Sequence, residues 1–306
     1  MNALSLPAGV RVFERGWLSA NNILLTGDDQ TALVDSGYAT HSTQTVALVQ
    51  QALGGRPLDL LLNTHLHSDH CGGNAALQHC YPDVSTLIPP GQADHVRNWN
   101  PVALTYTPTG QECPPFRMAG LLIAGAEILL GDLQWQIHSA PGHDAHSVML
   151  FEPASRALIS ADALWENGFG VVFQELEGDR AFGEVAATLD LIESLAPAVV
   201  IPGHGKVFAH VTDSLAAARR RLDSFVANPQ KHADHAARVL LKFKLLELQQ
   251  LRLVDLGRWA ASTPYFKLVH ARWFPDADFT AWAEQLVDSL VRSGAAGRDG
   301  DLVFNR

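Results

Sequence analysis

The stretch Asn63-Thr64-His65-Leu66-His67-Ser68-Asp69-His70-Cys71-Gly72-Gly73 places three imidazoles and one carboxylate within six residues. It follows directly on residues 58–62, an apolar run broken only by Asp59, which reads as a largely buried strand. The histidines therefore fall in a loop at a strand's C-terminal end, where layered α/β folds gather active-site groups. Burying such groups without partners costs roughly 2–7 kcal/mol each, whereas a bound metal satisfies them together. His65 and His67, two residues apart, can reach one ion from the same side of an extended turn. Asp69 and His70 point elsewhere and can reach a second, and Gly72-Gly73 permits close backbone packing where the loop enters the next helix.

Three more positions repeat the pattern. His143 lies in Pro141-Gly142-His143-Asp144, after a strand expected over 135–139. Asp162 lies in Ser160-Ala161-Asp162-Ala163, after one expected over 157–160. His204 lies in Pro202-Gly203-His204-Gly205, after one expected over 198–201. Alone, each reads as a turn or capping residue; taken with the first cluster they read as a metal site.

The surrounding chain supplies a frame. Residues 22–25 and 31–34 flank the turn Gly27-Asp28-Asp29-Gln30 and predict a hairpin. Residues 42–53 have helical spacing and stop at Gly54-Gly55. A strand over 148–151 and a helix over 184–195, with Val185, Leu189 and Ile192 on one face, complete a layered α/β body. Residues 90–120 contain five prolines without periodicity and read as a lid or binding loop. From about residue 211 the chain turns helical, with apolar stripes over 214–226, 237–251 and 279–291. A small hairpin about Arg298-Asp299-Gly300-Asp301 then resembles the end of a winged-helix module, a pattern shared with many helical caps.

Composition narrows the classes further. At 306 residues, 47% hydrophobic and 18% charged, the chain has the material for two globular domains and is neither disordered nor fibrous. Three cysteines without a CxxC pair argue against a disulfide scaffold or a thiolate zinc finger. The first residues lack a basic start followed by an apolar run, and no 18-residue apolar stretch occurs, so a reducing cytoplasm and no membrane span are expected. Residues 1–205 carry 7 Arg and no Lys against 21 Asp and Glu, a balance of −14; residues 206–306 carry 15 against 11, or +4, which returns the overall −10. An acidic body repels polyanions at long range and disfavours nucleic acid, although the basic tail keeps that partner open.

The motif His65-x-His67-x-Asp69-His70, followed by His143, Asp162 and His204, resembles the metallo-β-lactamase fold superfamily in its dinuclear form. Val34-Asp35-Ser36-Gly37 also matches that superfamily's early strand-end aspartate, usually structural there. The resemblance spans roughly residues 8–210 and implies an α/β (α+β) fold: an αββα sandwich as hydrolase domain (1–210), then a mainly helical, winged-helix-like C-terminal domain (211–306). It implies that His65, His67 and His143 bind one divalent metal ion, that Asp69, His70 and His204 bind a second, and that Asp162 bridges them. Five imidazoles and two carboxylates suit zinc, with iron or manganese open by ligand type. Asp69 would orient the attacking hydroxide, and Thr64 or Ser147 would be hydrogen-bond partners behind the ligands. Asp162 stands where class B1 lactamases carry cysteine, which, with the missing export signal, argues against periplasmic β-lactam hydrolysis.

The order of motifs and the helical tail are similar to glyoxalase-II-like hydrolases. That branch implies hydrolysis at a carbonyl, first of a small ester or thioester. The alternatives are an endoribonuclease gripping RNA through Arg219–Arg221 and Lys242/Lys244, a lactonase, and a mononuclear iron persulfide dioxygenase. A homodimer is the superfamily's habit. Trp99 and Tyr106 in the long loop, and Trp165 and Phe169 after Asp162, are the candidate substrate-binding residues.

Overall fold

The computed structural model describes residues 6–306. Strands β1 (Val10–Phe13), β2 (Asn22–Thr26), β3 (Thr31–Val34), β4 (Leu60–Leu62), β5 (Ser85–Ile88) and β6 (Gly120–Leu121) form one sheet in that order. The pairings β1/β2 and β2/β3 are antiparallel and the remaining three are parallel. Strands β7 (Glu127–Leu130), β8 (Leu133–Ser139), β9 (Val148–Glu152), β10 (Ala157–Ala161) and β11 (Val199–Pro202) form a second, ordered β11-β10-β9-β8-β7. Only β10/β11 is parallel there.

Strand alternation decides the layering. Ile23, Leu25, Ala32, Val34 and Leu62 on one face of the first sheet pack with Trp135, Ile137, Leu150, Ile159 and Ile201 of the second. The intervening residues Leu24, Leu33 and Leu61 point the other way, onto Val49 and Leu53 of helix Ser42–Leu53 and Leu77 of helix Asn74–Cys80. Met149, Phe151, Leu158 and Val200 do the same from the second sheet, meeting Val185, Leu189 and Ile192 of helix Phe182–Leu195. Both faces of both sheets are therefore apolar, and the result is the αββα sandwich.

The topology also sets where chemistry gathers. Strands β3 and β4 run parallel, so Asp35 and the loop 63–73 emerge at the same end. Strands β8 and β10 are both antiparallel to β9, and β11 is parallel to β10, so residues 140–143, Asp162 and residues 203–204 emerge together.

Helix Val211–Ala227 contributes Leu215, Ala218, Leu222 and Phe225 to the outer core of the sandwich. Helix Pro229–Leu248 packs into a separate cluster with the helices that follow it, joined by Val171 and Leu176 from the segment after Asp162. That helix starts eight residues before its sequence stripe, because Asn228 caps it by accepting from the Lys231 amide and Pro229 takes the first turn. It stops at Leu248; Leu251, which prolonged the stripe, pairs with Val303 in a small antiparallel sheet of β12 (Gln250–Arg252), β13 (Ala296–Asp299) and β14 (Leu302–Asn305), with β14 central. Helices Leu253–Ser262 and Pro264–Trp273 had no counterpart in the sequence reading. Residues 90–120 are a packed wall: short helices Ala93–Arg97 and Tyr106–Thr109 bury Val96, Leu104, Tyr106 and Phe116 against Leu66 and Cys71. Among the described residues no helix is long and apolar enough to cross a membrane.

Trp135 is fully buried between the sheets and its indole N–H has no hydrogen-bond partner. Trp135→Ala is expected to destabilise by about 3–5 kcal/mol. Trp135→Phe, which also removes an unsatisfied donor worth about 1–3 kcal/mol, is expected to cost less than half as much. Urea unfolding with unchanged m value is the measurement.

Candidate metal centre

Seven donors converge at the strand ends just described. His65 Nε2 lies 3.1 Å from His67 Nδ1, which lies 2.8 Å from His143 Nε2. On the other side His204 Nε2 is 3.0 Å from Asp69 Oδ2, which is 4.0 Å from His70 Nε2. Asp162 stands between the two groups, 3.4 Å from His143 Nε2, 3.5 Å from His70 Nε2 and 3.8 Å from His204 Nε2. Three sets each hold donor atoms within 4.8 Å of one another: His65/His67/His143, His65/His70/Asp162 and Asp69/His70/His204. The structure thus brings together all seven candidate metal ligands singled out in the sequence.

Local backbone features aim these groups. The β10/β11 register shifts between Ile159 and Ala161, and Ala161 adopts φ +48°, which turns Asp162 inward from the strand end. A Cβ on Gly203 would lie 2.1 Å from Asp162 Oδ1 and 3.0 Å from His70 Cε1, so only glycine lets the β11 turn bring His204 this close.

The hydrogen bonds show that the donors fit a cation. His143 Nδ1 donates to the Val171 carbonyl at 2.6 Å, which leaves Nε2 a bare lone pair. Thr64 Oγ1 donates to Asp35 Oδ2 at 2.8 Å, so the His65 Nδ1 proton, 3.2 Å away, is given to that hydroxyl and His65 Nε2 is bare too. His70 Nδ1 donates to Asp35 Oδ2 at 2.8 Å, and His70 Nε2 is a buried atom with no hydrogen-bond partner. Lone pairs facing one another across about 3 Å, and an orphaned ring nitrogen between carboxylates, are what a divalent cation satisfies. Cys71 stays outside the donor set; its thiol meets the Leu66 and His67 carbonyls and the Tyr106 hydroxyl.

Electrostatics divides the donors. Burial, reinforced by neighbouring imidazoles, pulls His65 well below its ordinary pKa, and burial together with His143 pulls His67 down to about 4. Burial also works against a proton on His70 and His204. There it is outweighed by Asp35, Asp162 and Asp69 for His70, and by Asp162 and Asp69 for His204, so both rise. Asp69 and Asp162 fall despite burial, held down by the same histidines.

A cation at these donors displaces the protons that the carboxylates hold on His70 and His204. Below their raised pKa values each uptake event releases protons; as pH rises through those values fewer remain to be displaced, so apparent metal affinity climbs with pH and then levels. Calorimetry in buffers of different ionisation enthalpy reads that release. Asp35 binds the Thr64 amide (2.9 Å) and hydroxyl as well as His70, so Asp35→Asn is expected to weaken metal retention by about 10–100-fold with the fold intact, as followed by chelator competition.

A cavity of about 580 Å³ opens over the donors, lined by Trp17, His67, Asp69, Gln111, Trp165 and Phe173, among others. Trp165 is where the sequence reading placed it, and its indole N–H donates to Asp162 Oδ1 at 3.1 Å. The other three aromatic candidates pack elsewhere. Phe169 is 1% exposed in the outer core of the sandwich, Tyr106 is 2% exposed behind Cys71, and Trp99 packs on Tyr106 and Phe116. The sequence reading missed Trp17, 54% exposed and stacked on the His204 ring at 5.4 Å, and Phe173, 5.0 Å from His67. No local spacing ties a tryptophan at 17 to a histidine at 204.

Residues 15–204 match the sequence profile of the metallo-beta-lactamase superfamily. A hydroxyacylglutathione hydrolase of Xanthomonas axonopodis is 27% identical, over 80% of this chain and 81% of its own length. An acyl-coenzyme A thioesterase of Gallus gallus is 28% identical, over 66% and 80%. Among solved structures, a metallo-beta-lactamase family protein of Thermus thermophilus matches with TM-score 0.57 at 19% identity, covering 99% of this chain and all of its own. A beta-lactamase domain protein of Burkholderia ambifaria gives 0.59 at 21%, covering 99% and 97%. With the profile spanning well over half its length and the sandwich built as described, the chain belongs to the metallo-beta-lactamase superfamily as a metal-dependent hydrolase.

Proposed function

We propose that this protein hydrolyses small thioesters with two divalent metal ions, zinc first among them. His65, His67 and His143 would hold one and Asp69, His70 and His204 the other, with Asp162 shared. The observation that carries the hydrolytic reading is the convergence of these seven donors, of which His67, Asp69, His143, Asp162 and His204 line one cavity with His65 and His70 buried behind them. The thioester as substrate is supported by the names of two relatives, a hydroxyacylglutathione hydrolase and an acyl-coenzyme A thioesterase, each matched over about four fifths of its length.

When bound, such an ion pair supplies Lewis acidity, lowering the pKa of water from 15.7 toward about 7 and polarising a carbonyl. The chain's own groups do the rest. Asp69, the most exposed carboxylate of the cluster, lines the cavity 3.0 Å from His204 Nε2, where it can orient an attacking water and pass its proton on. Trp165 fixes the rotation of the Asp162 carboxylate through its N–H, and Asp35 fixes the tautomer and ring plane of His70. Trp17 and Trp165 flank His204, and Phe173 flanks His67 and His143, which walls the donors from bulk water. We assign the C-terminal helices, with the β12–β14–β13 ribbon as a winged-helix module, the task of closing this cavity.

The basic residues considered for RNA are mostly engaged. Arg219 pairs with Asp190 and Glu193, Lys244 with Glu247, and Lys242 holds the Ala295 and Arg306 carbonyls. A steep fall of RNA binding with salt would reverse this preference; a flat response near zero affinity is expected.

The deciding experiment is elemental analysis of protein purified without added metal, then a panel of thioester, lactone, β-lactam and RNA substrates. Thioester turnover is expected, lost on chelation and restored by zinc. His67→Ala is expected to lower it more than about 100-fold, beyond the effect of removing an outer hydrogen-bond partner. Full activity in that variant, or in protein stripped of metal, would refute the reading.

A further inference from the structure

The far side of the cavity is built by the helices Val211–Ala227 and Pro229–Leu248, which bring Arg221, His235 and Arg238 to the space that also holds His67, Asp69 and His143. Arg221 is unusual among the cations there. Its guanidinium lies over the rings of Phe169 and Phe225, 5.6 and 5.5 Å from their centroids. Its Nη2 donates to His235 Nε2 at 2.6 Å, and Nη1 reaches the Asn167 carbonyl at 3.5 Å. All of these partners are neutral: burial, then Arg221 and Arg238, push His235 down to about 3. None of the ion pairs among the described residues includes Arg221. Glu166 pairs with His210 at 3.0 Å, Asp234 with Arg238 at 2.9 Å, and Asp69 and Asp162 face the imidazoles.

A cation partly withdrawn from water without a counter-charge is unfavourable, and burial accordingly lowers the pKa of Arg221. A ligand anion removes that penalty. The other cation nearby, Arg238, shares its charge with Asp234, and the Lys242 ammonium is occupied by the Ala295 and Arg306 carbonyls. One uncompensated charge is suited to one oxyanion, not to a polymer of phosphates. It also sits behind the Trp165–Gly168 bridge that follows Asp162; a Cβ on Gly168 would come within 2.7 Å of Arg221 Nη1. Substrate spanning the cavity would then have its carbonyl at the metal donors and its charged end at Arg221.

We propose that Arg221, flanked by Arg238, is the anion subsite of this cavity and takes the carboxylate or phosphate on the thiol half of the substrate. This rests on the thioester reading above. The shared chemistry is an oxyanion accepting from a planar guanidinium, and both sources can be tested side by side.

The same acyl group is offered to the metal-loaded protein on glutathione (carboxylates), on coenzyme A (phosphates) and on N-acetylcysteamine (neutral). The wild type is expected to prefer one or both anionic carriers in kcat/KM. Arg221→Gln is expected to reduce that preference about 10–100-fold, mainly through KM, and Arg221→Lys to restore part of it. Which anionic carrier loses more identifies the source. A loss of equal size on all three carriers, or one confined to kcat, would overturn the subsite and leave Arg221 a support for the 165–168 turn. Should the wild type turn over none of the three, the thioester reading fails on its own. The subsite is then judged by equilibrium binding of S-methylglutathione and S-methyl-coenzyme A: affinity weakened about tenfold or more by Arg221→Gln supports it, and unchanged affinity or no binding to the wild type refutes it.

Discussion

The structure turns on one constraint: imidazole and carboxylate donors are held, almost wholly out of water, at the edge of a sandwich whose layers are otherwise apolar. Imidazoles whose outer nitrogen already donates a hydrogen bond, as in His65 and His143, turn lone pairs toward one another. Such an arrangement is repulsive unless a cation sits among them. The hydrogen bonds behind the ligands, above all those of Asp35, decide which nitrogen faces inward and so make the edge a receptor for metal.

The sandwich serves that constraint through topology. Parallel pairing of β3 with β4 and of β10 with β11 delivers loop starts to one side, and the bulge at Ala161 rotates the last carboxylate into place. Small residues are needed where backbones converge: Gly72 and Gly73 lie against residues 36–39, and Gly203 lies against Asp162. Hydrophobic burial stabilises the layers, and the layers impose a geometry that the donors would not adopt alone.

Much of this is legible in the sequence because the signals are local or stereotyped. The cluster from His65 to His70 announces itself by density, and His143, Asp162 and His204 by their places after apolar strand runs. The hairpin of 22–25 and 31–34 and the helix stop at Gly54 appear as expected. Less legible are features whose cause lies far away in the chain. Leu251 extends a helical stripe yet pairs with Val303, because β14 offers a ladder. Phe169 lies close in sequence to Asp162, and Trp99 and Tyr106 lie in the long segment between the motifs, but their rings fill gaps in the protein's own packing. Trp17 and Arg221 come to the cavity from opposite ends of the fold, and only three-dimensional packing joins them to the donors.

Helix Pro229–Leu248 presents two faces to two different tasks. Ala233, Ala237, Leu241 and Leu245 anchor the tail's own core, with Val171 and Leu176 from the segment behind the metal donors, while Arg238, Val239 and Phe243 border the cavity. Occupancy of that cavity and melting of the tail are therefore linked equilibria. A molecule bridging the donors and this helix raises the free energy of opening for the whole C-terminal unit. Slower amide exchange in helices that never touch the ligand would be the outward sign of its presence.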